Sequence, residues 1–266
     1  MAARLFRNRP SSLECAALPG FAGHAPACRR GSRSSFRAAR EQGIMFAMDL
    51  ARIRALIFDL DGTLIDSERD LIDATNATLR HLGRAELPPG TVSGYIGHGA
   101  AKLVASALGP AGDRELHAAL EFFLDYYQDH KLAHTRTYPG VPEALDSLAA
   151  MPMAVLTNKP QEISAQILEA LAIAKYFRVI YGGDSLAAKK PDPAGVYKIL
   201  EQFKLSPEKA LFIGDSEVDV QTARNAGTFC AIVNYGFGKN DRAAFPADLY
   251  IDKLSDLVPL VRLPPF

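Results

Sequence analysis

The sequence predicts an α/β fold: a parallel-sheet, Rossmann-like core with a small helical domain inserted after the first strand. Three observations carry that prediction. Short apolar runs recur with helix-like segments between them. One long interval after the first run holds helical pattern alone. Polar residues of complementary type stand at the C-terminal ends of several runs.

The runs read as strands are Ala55–Phe58, Met153–Leu156, Arg178–Tyr181, Ala210–Ile213, Cys230–Val233 and Leu249–Ile251. Short continuous apolar runs bounded by polar residues suit strands buried on both faces. Gln161–Ala172, Pro193–Phe203, Asp219–Ala226 and Ser255–Val261 read as the helices between and after them. Such alternation argues for βαβ units and a parallel sheet. Between Leu64 and Tyr138 no strand is expected, and Leu71–Leu82 and Glu115–His130 are the clearest helices. Pro139-Gly140 marks the return to the core. The expected domains are therefore a core over 51–65 and 138–266 and a helical insert over 66–137.

The 266-residue chain suits one domain with an insert. Its 30 basic and 30 acidic residues cancel, which argues against bulk nucleic-acid binding. The balance is uneven, however. Residues 1–43 hold eight arginines and two acids, 8 − 2 = +6, which leaves −6 for the remainder. Residues 1–50 are Arg-, Ser-, Ala- and Gly-rich without apolar periodicity. They read as a disordered tail, an organellar transit peptide or an extension from a misplaced start, since Met45 and Met48 lie just before the first strand. Cys15, Cys28 and Cys230 show no metal-binding or disulfide spacing, and Cys230 reads as a small buried hydrophobe. A reducing cytoplasmic setting is expected, or an organellar one if residues 1–44 are a transit peptide. No apolar run reaches the length of a membrane span.

Asp59 and Asp61 end the first strand, and Gly62-Thr63 turn the chain away. Thr157-Asn158 follow Val155-Leu156, Lys190-Pro191 precede a helix, and Gly214-Asp215-Ser216 follow Leu211–Ile213, with Asp219 one turn later. In a parallel sheet these strand ends share one edge, where ligands bind. Asp59, Asp61 and Asp215 are hard oxygen ligands suited to Mg²⁺. The Thr157 hydroxyl and nearby N–H groups can hold phosphoryl oxygens, and Lys190 adds positive charge. Phosphoryl transfer needs mainly this positioning and neutralisation. Alternatives remain at single positions. Thr157 could be a helix N-cap, Asp219 could cap the following helix, Lys189 rivals Lys190, and Asp192 reads as a turn or cap residue.

These residues, from Asp59-Leu60-Asp61-Gly62-Thr63-Leu64 through Thr157-Asn158 and Lys190-Pro191 to Gly214-Asp215-Ser216-Glu217-Val218-Asp219, resemble the four motifs of the haloacid dehalogenase-like superfamily. The resemblance runs from Arg54 to Val261. It implies that Asp59 is a nucleophile forming an aspartyl-phosphate. Asp61 would be the acid and then the base, its backbone carbonyl also on Mg²⁺. Asp215 would be a direct metal ligand and Asp219 an indirect one. Thr157 would bind the phosphoryl group, and Lys190 would neutralise it.

In this superfamily an insert after the first motif is a cap over the site. Gly97-His98-Gly99-Ala100-Ala101-Lys102 resembles the cap segment of phosphoglycolate phosphatases, as Tyr138-Pro139-Gly140-Val141 and Asn234–Gly238 resemble other segments of that family. Gly97, His98 and Lys102 are thus candidate substrate-binding residues beside Thr157, Asn158 and Lys190. The family often carries an arginine a few residues further on, where this chain has Ala105-Ser106-Ala107. The expected activity is a Mg²⁺-dependent phosphatase acting on a small phosphorylated metabolite, phosphoglycolate first. The alternatives are a sugar-phosphate phosphatase, a phosphomutase or a non-catalytic phospholigand-binding protein. A monomer or homodimer, with no nucleic-acid or membrane partner, completes the expectation.

Overall fold

A computed structural model describes residues 50–238 and 241–261. The extension expected over 1–50, with Cys15 and Cys28, lies outside the described residues but for Leu50. Six strands form one parallel sheet: β1 (Ala55–Phe58), β4 (Met153–Leu156), β5 (Val179–Tyr181), β6 (Ala210–Gly214), β7 (Phe229–Val233) and β8 (Leu249–Ile251). Their order is β5-β4-β1-β6-β7-β8. All six expected strands are present.

The residues of β1 and β4 are buried throughout. Side chains alternate across a strand, so successive residues join opposite layers. Leu56 and Phe58 pack with Met153, Val155, Leu211 and Ile213 on one face. Ile57 joins Ala154, Leu156, Phe212 and Ile232 on the other. Continuous apolar runs are what a sheet covered on both faces requires. The covering helices include α5 (Val141–Ser147), α6 (Gln161–Ala170), α7 (Ala194–Phe203) and α8 (Glu217–Ala226).

β4 and β5 run out from β1 on one side and β6, β7 and β8 on the other, so the order reverses at β1. Ligand crevices open at such reversals. Phe58 pairs with Val155 on β4 and with Ile213 on β6. That register sets the C-terminal ends of the three strands side by side.

Between β1 and β4 lie α1 (Glu68–His81), α2 (Pro89–Ser93), α3 (Ala100–Leu108) and α4 (Asp113–His130). They are flanked by a feature absent from the sequence reading. β2 (Ile65–Asp66) and β3 (Arg136–Thr137) pair antiparallel, Ile65 with Thr137. Two-residue strands carry no periodicity to read. Leu103, Phe123 and Tyr127 of these helices belong to the same apolar cluster as Phe58 and Leu64 of the core. Asp70 of α1 is buried and accepts the His134 and Thr135 backbone N–H groups and the Thr135 hydroxyl, at 2.8–3.0 Å. This fastens α1 to the chain that returns through β3.

The helix expected over Ser255–Val261 is a correction. A 3-10 turn, Leu254–Leu257, stands there instead. Pro259 has no N–H for the Ser255 carbonyl, so an α-helix cannot propagate.

Candidate active site

Asp59 continues the β1 ladder, its N–H donating to the Ile213 carbonyl at 2.8 Å. The chain then turns at Gly62, whose φ is +79°. A Cβ there would lie 2.0 Å from Asp215 Oδ2, so residues 59–64 bend directly against the end of β6. Asp59, Thr157, Asn158, Lys190, Asp215 and Asp219 are thereby brought together, and all are buried.

Carboxylate oxygens of Asp59, Asp215 and Asp219 lie within 4.8 Å of one another. Lys190 Nζ stands between two of them, 2.8 Å from Asp59 Oδ1 and 2.7 Å from Asp219 Oδ1. Lys189 is exposed. The other Asp219 oxygen accepts the Asp215 and Ser216 N–H groups at 3.2 and 3.1 Å and the Ser216 hydroxyl at 2.8 Å. Asp219 is therefore the third residue of α8, in a capping box with Ser216, and not the helix cap itself. Both its oxygens are engaged. Asp215 Oδ2 accepts the Gly238 N–H at 2.6 Å. Asp59 Oδ1 is buried and accepts no directed hydrogen bond despite the nearby ammonium.

The electrostatics follow from burial. Desolvation pushes the Asp59 carboxyl up to about 6, although Lys190 pulls it down. Burial, then the Asp219 and Asp59 charges, hold Asp215 well above the usual carboxylate range. Three buried acids facing one lysine leave uncompensated negative charge, which is costly unless a cation joins them. Asp59 and Asp215 retain oxygens free to ligate, so the donor set fits a hard divalent cation.

Thr157 and Asn158 sit at the end of β4. The Thr157 hydroxyl accepts the Lys159 N–H at 3.3 Å, and the following helix α6 is capped by Pro160, so Thr157 is not its N-cap. The Asn158 side chain is committed to the backbone. Its Nδ2 donates to Gly97 O at 3.0 Å and Lys190 O at 3.1 Å, and its Oδ1 accepts the Lys190 N–H at 2.9 Å. It clips the Lys190 loop and the Gly97 loop to β4, so its amide is not free for a substrate. Asp192 accepts the Ala194 N–H at 2.9 Å in the turn into α7.

Asp61 goes elsewhere than the acid cluster. Its carboxylate accepts Lys159 Nζ at 2.8 and 3.0 Å and the Ser67 hydroxyl at 2.5 Å. Lys159 was not singled out in the sequence. It is buried, and its Nζ lies 4.6 Å from the Tyr127 ring centroid. Burial would lower its pKa, but Asp61 and then Tyr127 outweigh this and raise it. The T-N-K-P run after β4 was the available signal.

A cavity adjoins these groups, lined by Asp59, Asp61, Thr157 and Lys159 with apolar walls from Leu71, Ile96, Leu103 and Phe123. Gly97 and Gly99 line it as well. At Gly99 φ is +88° and a Cβ would come within 2.9 Å of Asn158 O, so this loop packs tightly on β4. His98 and Lys102 are exposed and absent from the lining. Cys230 is buried, as expected, and burial raises its thiol pKa.

The family description "Haloacid dehalogenase-like hydrolase" matches residues 56–233. Phosphoglycolate phosphatase 1 of Pseudomonas aeruginosa is 41% identical over 223 residues, covering 80% of this chain and 81% of that protein. Phosphoglycolate phosphatase of Chromobacterium violaceum is 36% identical over 222 residues, covering 81% of this chain and 99% of the other. Among solved structures, a predicted phosphoglycolate phosphatase from Haemophilus somnus superposes with a TM-score of 0.75 at 32% identity, covering 79% of this chain and 98% of that one.

Proposed function

Since this chain belongs to the haloacid dehalogenase-like hydrolase family, we propose that it is a Mg²⁺-dependent phosphomonoesterase that hydrolyses 2-phosphoglycolate through an aspartyl-phosphate on Asp59. The observation that carries this reading is Asp59 Oδ1: buried, without a directed hydrogen bond, and 2.8 Å from Lys190 Nζ. A buried carboxylate oxygen held by a single ammonium is suited to attack phosphorus. Lys190 would hold that carboxylate in place and offset the charge of the incoming phosphoryl group. Asp219 would fix Lys190, since one of its oxygens faces Nζ at 2.7 Å.

Asp59 and Asp215 would hold the cation, which when bound would neutralise phosphoryl oxygens. Thr157 would donate its hydroxyl to the phosphoryl group. Asp61 would protonate the leaving oxygen and then take a proton from the attacking water. Here Asp59 lies among acids and Lys190, whereas Asp61 faces Lys159 and Ser67. The helices between β2 and β3 would act as the cap, and their apolar residues at the cavity would exclude water.

The named activity of the curated relatives supports phosphoglycolate as the substrate. The narrow apolar wall of Leu71, Ile96, Leu103 and Phe123 supports a small leaving group. A panel of two-carbon and sugar phosphates, assayed with Mg²⁺, tests this. The expected result is the highest kcat/KM for 2-phosphoglycolate. A sugar phosphate turned over more efficiently would refute it.

A further inference from the structure

The cavity holds two polar groups that phosphoryl transfer leaves unused. Lys159 is the sole cation among the described residues lining it. Its ammonium has three N–H groups. Two go to the two oxygens of Asp61. The third faces the Tyr127 hydroxyl oxygen and nothing else among the described residues. Beside it stands Tyr127 from α4, 2% exposed, which also lines the cavity. Its oxygen faces the Lys159 ammonium, but its own O–H has no acceptor. A buried O–H without an acceptor is unfavourable, so one kept in a cavity wall calls for a ligand.

We propose that Lys159 and the Tyr127 hydroxyl form a carboxylate-binding subsite that reads the leaving group of the substrate. The inference rests on the phosphoglycolate reading above. It assigns the leaving group's charge to a lysine of the core and a tyrosine of α4 rather than to His98 or Lys102. The chemistry of the substrate supports the placement. Its carboxylate is one methylene from the bridging oxygen, and that oxygen must reach Asp61 to be protonated. A group so close to Asp61 is also within reach of Lys159, 2.8 Å from Asp61 Oδ1. A carboxylate there would draw the third Lys159 N–H from the tyrosine oxygen and accept the Tyr127 O–H, two donors for two oxygens. The apolar part of the wall, Leu71, Leu103 and Phe123, offers such an anion nothing.

The test compares 2-phosphoglycolate with ethyl phosphate, which has a methyl group in place of the carboxylate, in the wild type, Tyr127→Phe and Lys159→Met. The readout is the ratio of the two kcat/KM values. One hydrogen bond to a charged group is worth roughly tenfold or more, so Tyr127→Phe is expected to lower the ratio about tenfold. Lys159→Met is expected to lower it by roughly 100-fold. A purely structural role, or one acting on Asp61 alone, would slow both substrates equally and leave the ratio unchanged. That outcome overturns the subsite while the wild-type preference for phosphoglycolate still stands. A wild type without preference between the two esters overturns both the subsite and the substrate assignment. If Lys159→Met does not fold, Tyr127→Phe decides by itself, because it removes one unpartnered hydroxyl and keeps the ring.

Discussion

Replacing Asp59 with asparagine is expected to stabilise the metal-free protein above pH 6. Burial raises the Asp59 carboxyl from 3.8 to about 6. A carboxyl whose folded-state pKa is raised binds its proton more tightly in the native state. Its effect on stability is therefore absent well below pH 4, grows as pH rises through the interval and is complete above about 6, where the buried anion is unfavourable. Each pKa unit is worth about 1.4 kcal/mol, so the cost reaches roughly 3 kcal/mol. Asparagine keeps the shape and never ionises. The assay is urea unfolding in EDTA at pH 4 and pH 8, wild type against Asp59→Asn. Little difference is expected at pH 4, and a gain of up to roughly 3 kcal/mol for the variant at pH 8. Added Mg²⁺ should stabilise the wild type selectively, since a ligand that binds only the native state raises its stability. Loss of stability in Asp59→Asn at pH 8 would mean that the Lys190 pairing outweighs desolvation, and the electrostatic account of the site would fail.

Three further outcomes are expected. Lys190→Met strips the one cation from between Asp59 and Asp219, and unfolding at pH 8 should show a loss of about 3–5 kcal/mol, with turnover lost. Gly62→Ala forces a Cβ toward Asp215 Oδ2 and into a φ of +79°; calorimetric titration with Mg²⁺ should show weakened binding, and unchanged affinity would contradict the close packing of this turn. Asp70→Ala leaves the His134 and Thr135 N–H groups without their acceptor, so the urea midpoint should fall by an amount worth about 2–4 kcal/mol.

Much of the core was legible because its physics is local. A strand buried on both faces must be apolar throughout, so Ala55–Phe58 and Met153–Leu156 announce themselves, and the polar residues that follow, Asp59 and Thr157-Asn158, mark the strand ends. Other features depend on partners far away in the chain. Lys159 reads as a solvated charge beside a proline. It is buried only because Asp61, 98 residues earlier, and Tyr127 converge on it. Asn158 was expected to meet substrate, yet its amide faces backbone from two distant loops. His98, in the loop before α3, and Lys102, within it, are both exposed, a placement that sequence spacing over five residues does not fix. Ser255–Val261 is the opposite case, since the local signal against an α-helix, the missing N–H of Pro259, stands in the segment itself.

The central claim is that Asp59 becomes phosphorylated in a metal-dependent step. Phosphate release from 2-phosphoglycolate should be followed for the wild type with Mg²⁺, with EDTA, and for Asp59→Asn with Mg²⁺. A rapid acid quench with mass analysis of the peptide containing Asp59 should accompany it. The account predicts turnover with Mg²⁺ only, loss of at least 100-fold on removing either the metal or the carboxylate, consistent with a lost covalent and electrostatic contribution, and a phosphoryl group trapped on Asp59. Turnover that persists in Asp59→Asn, or in EDTA, would contradict it.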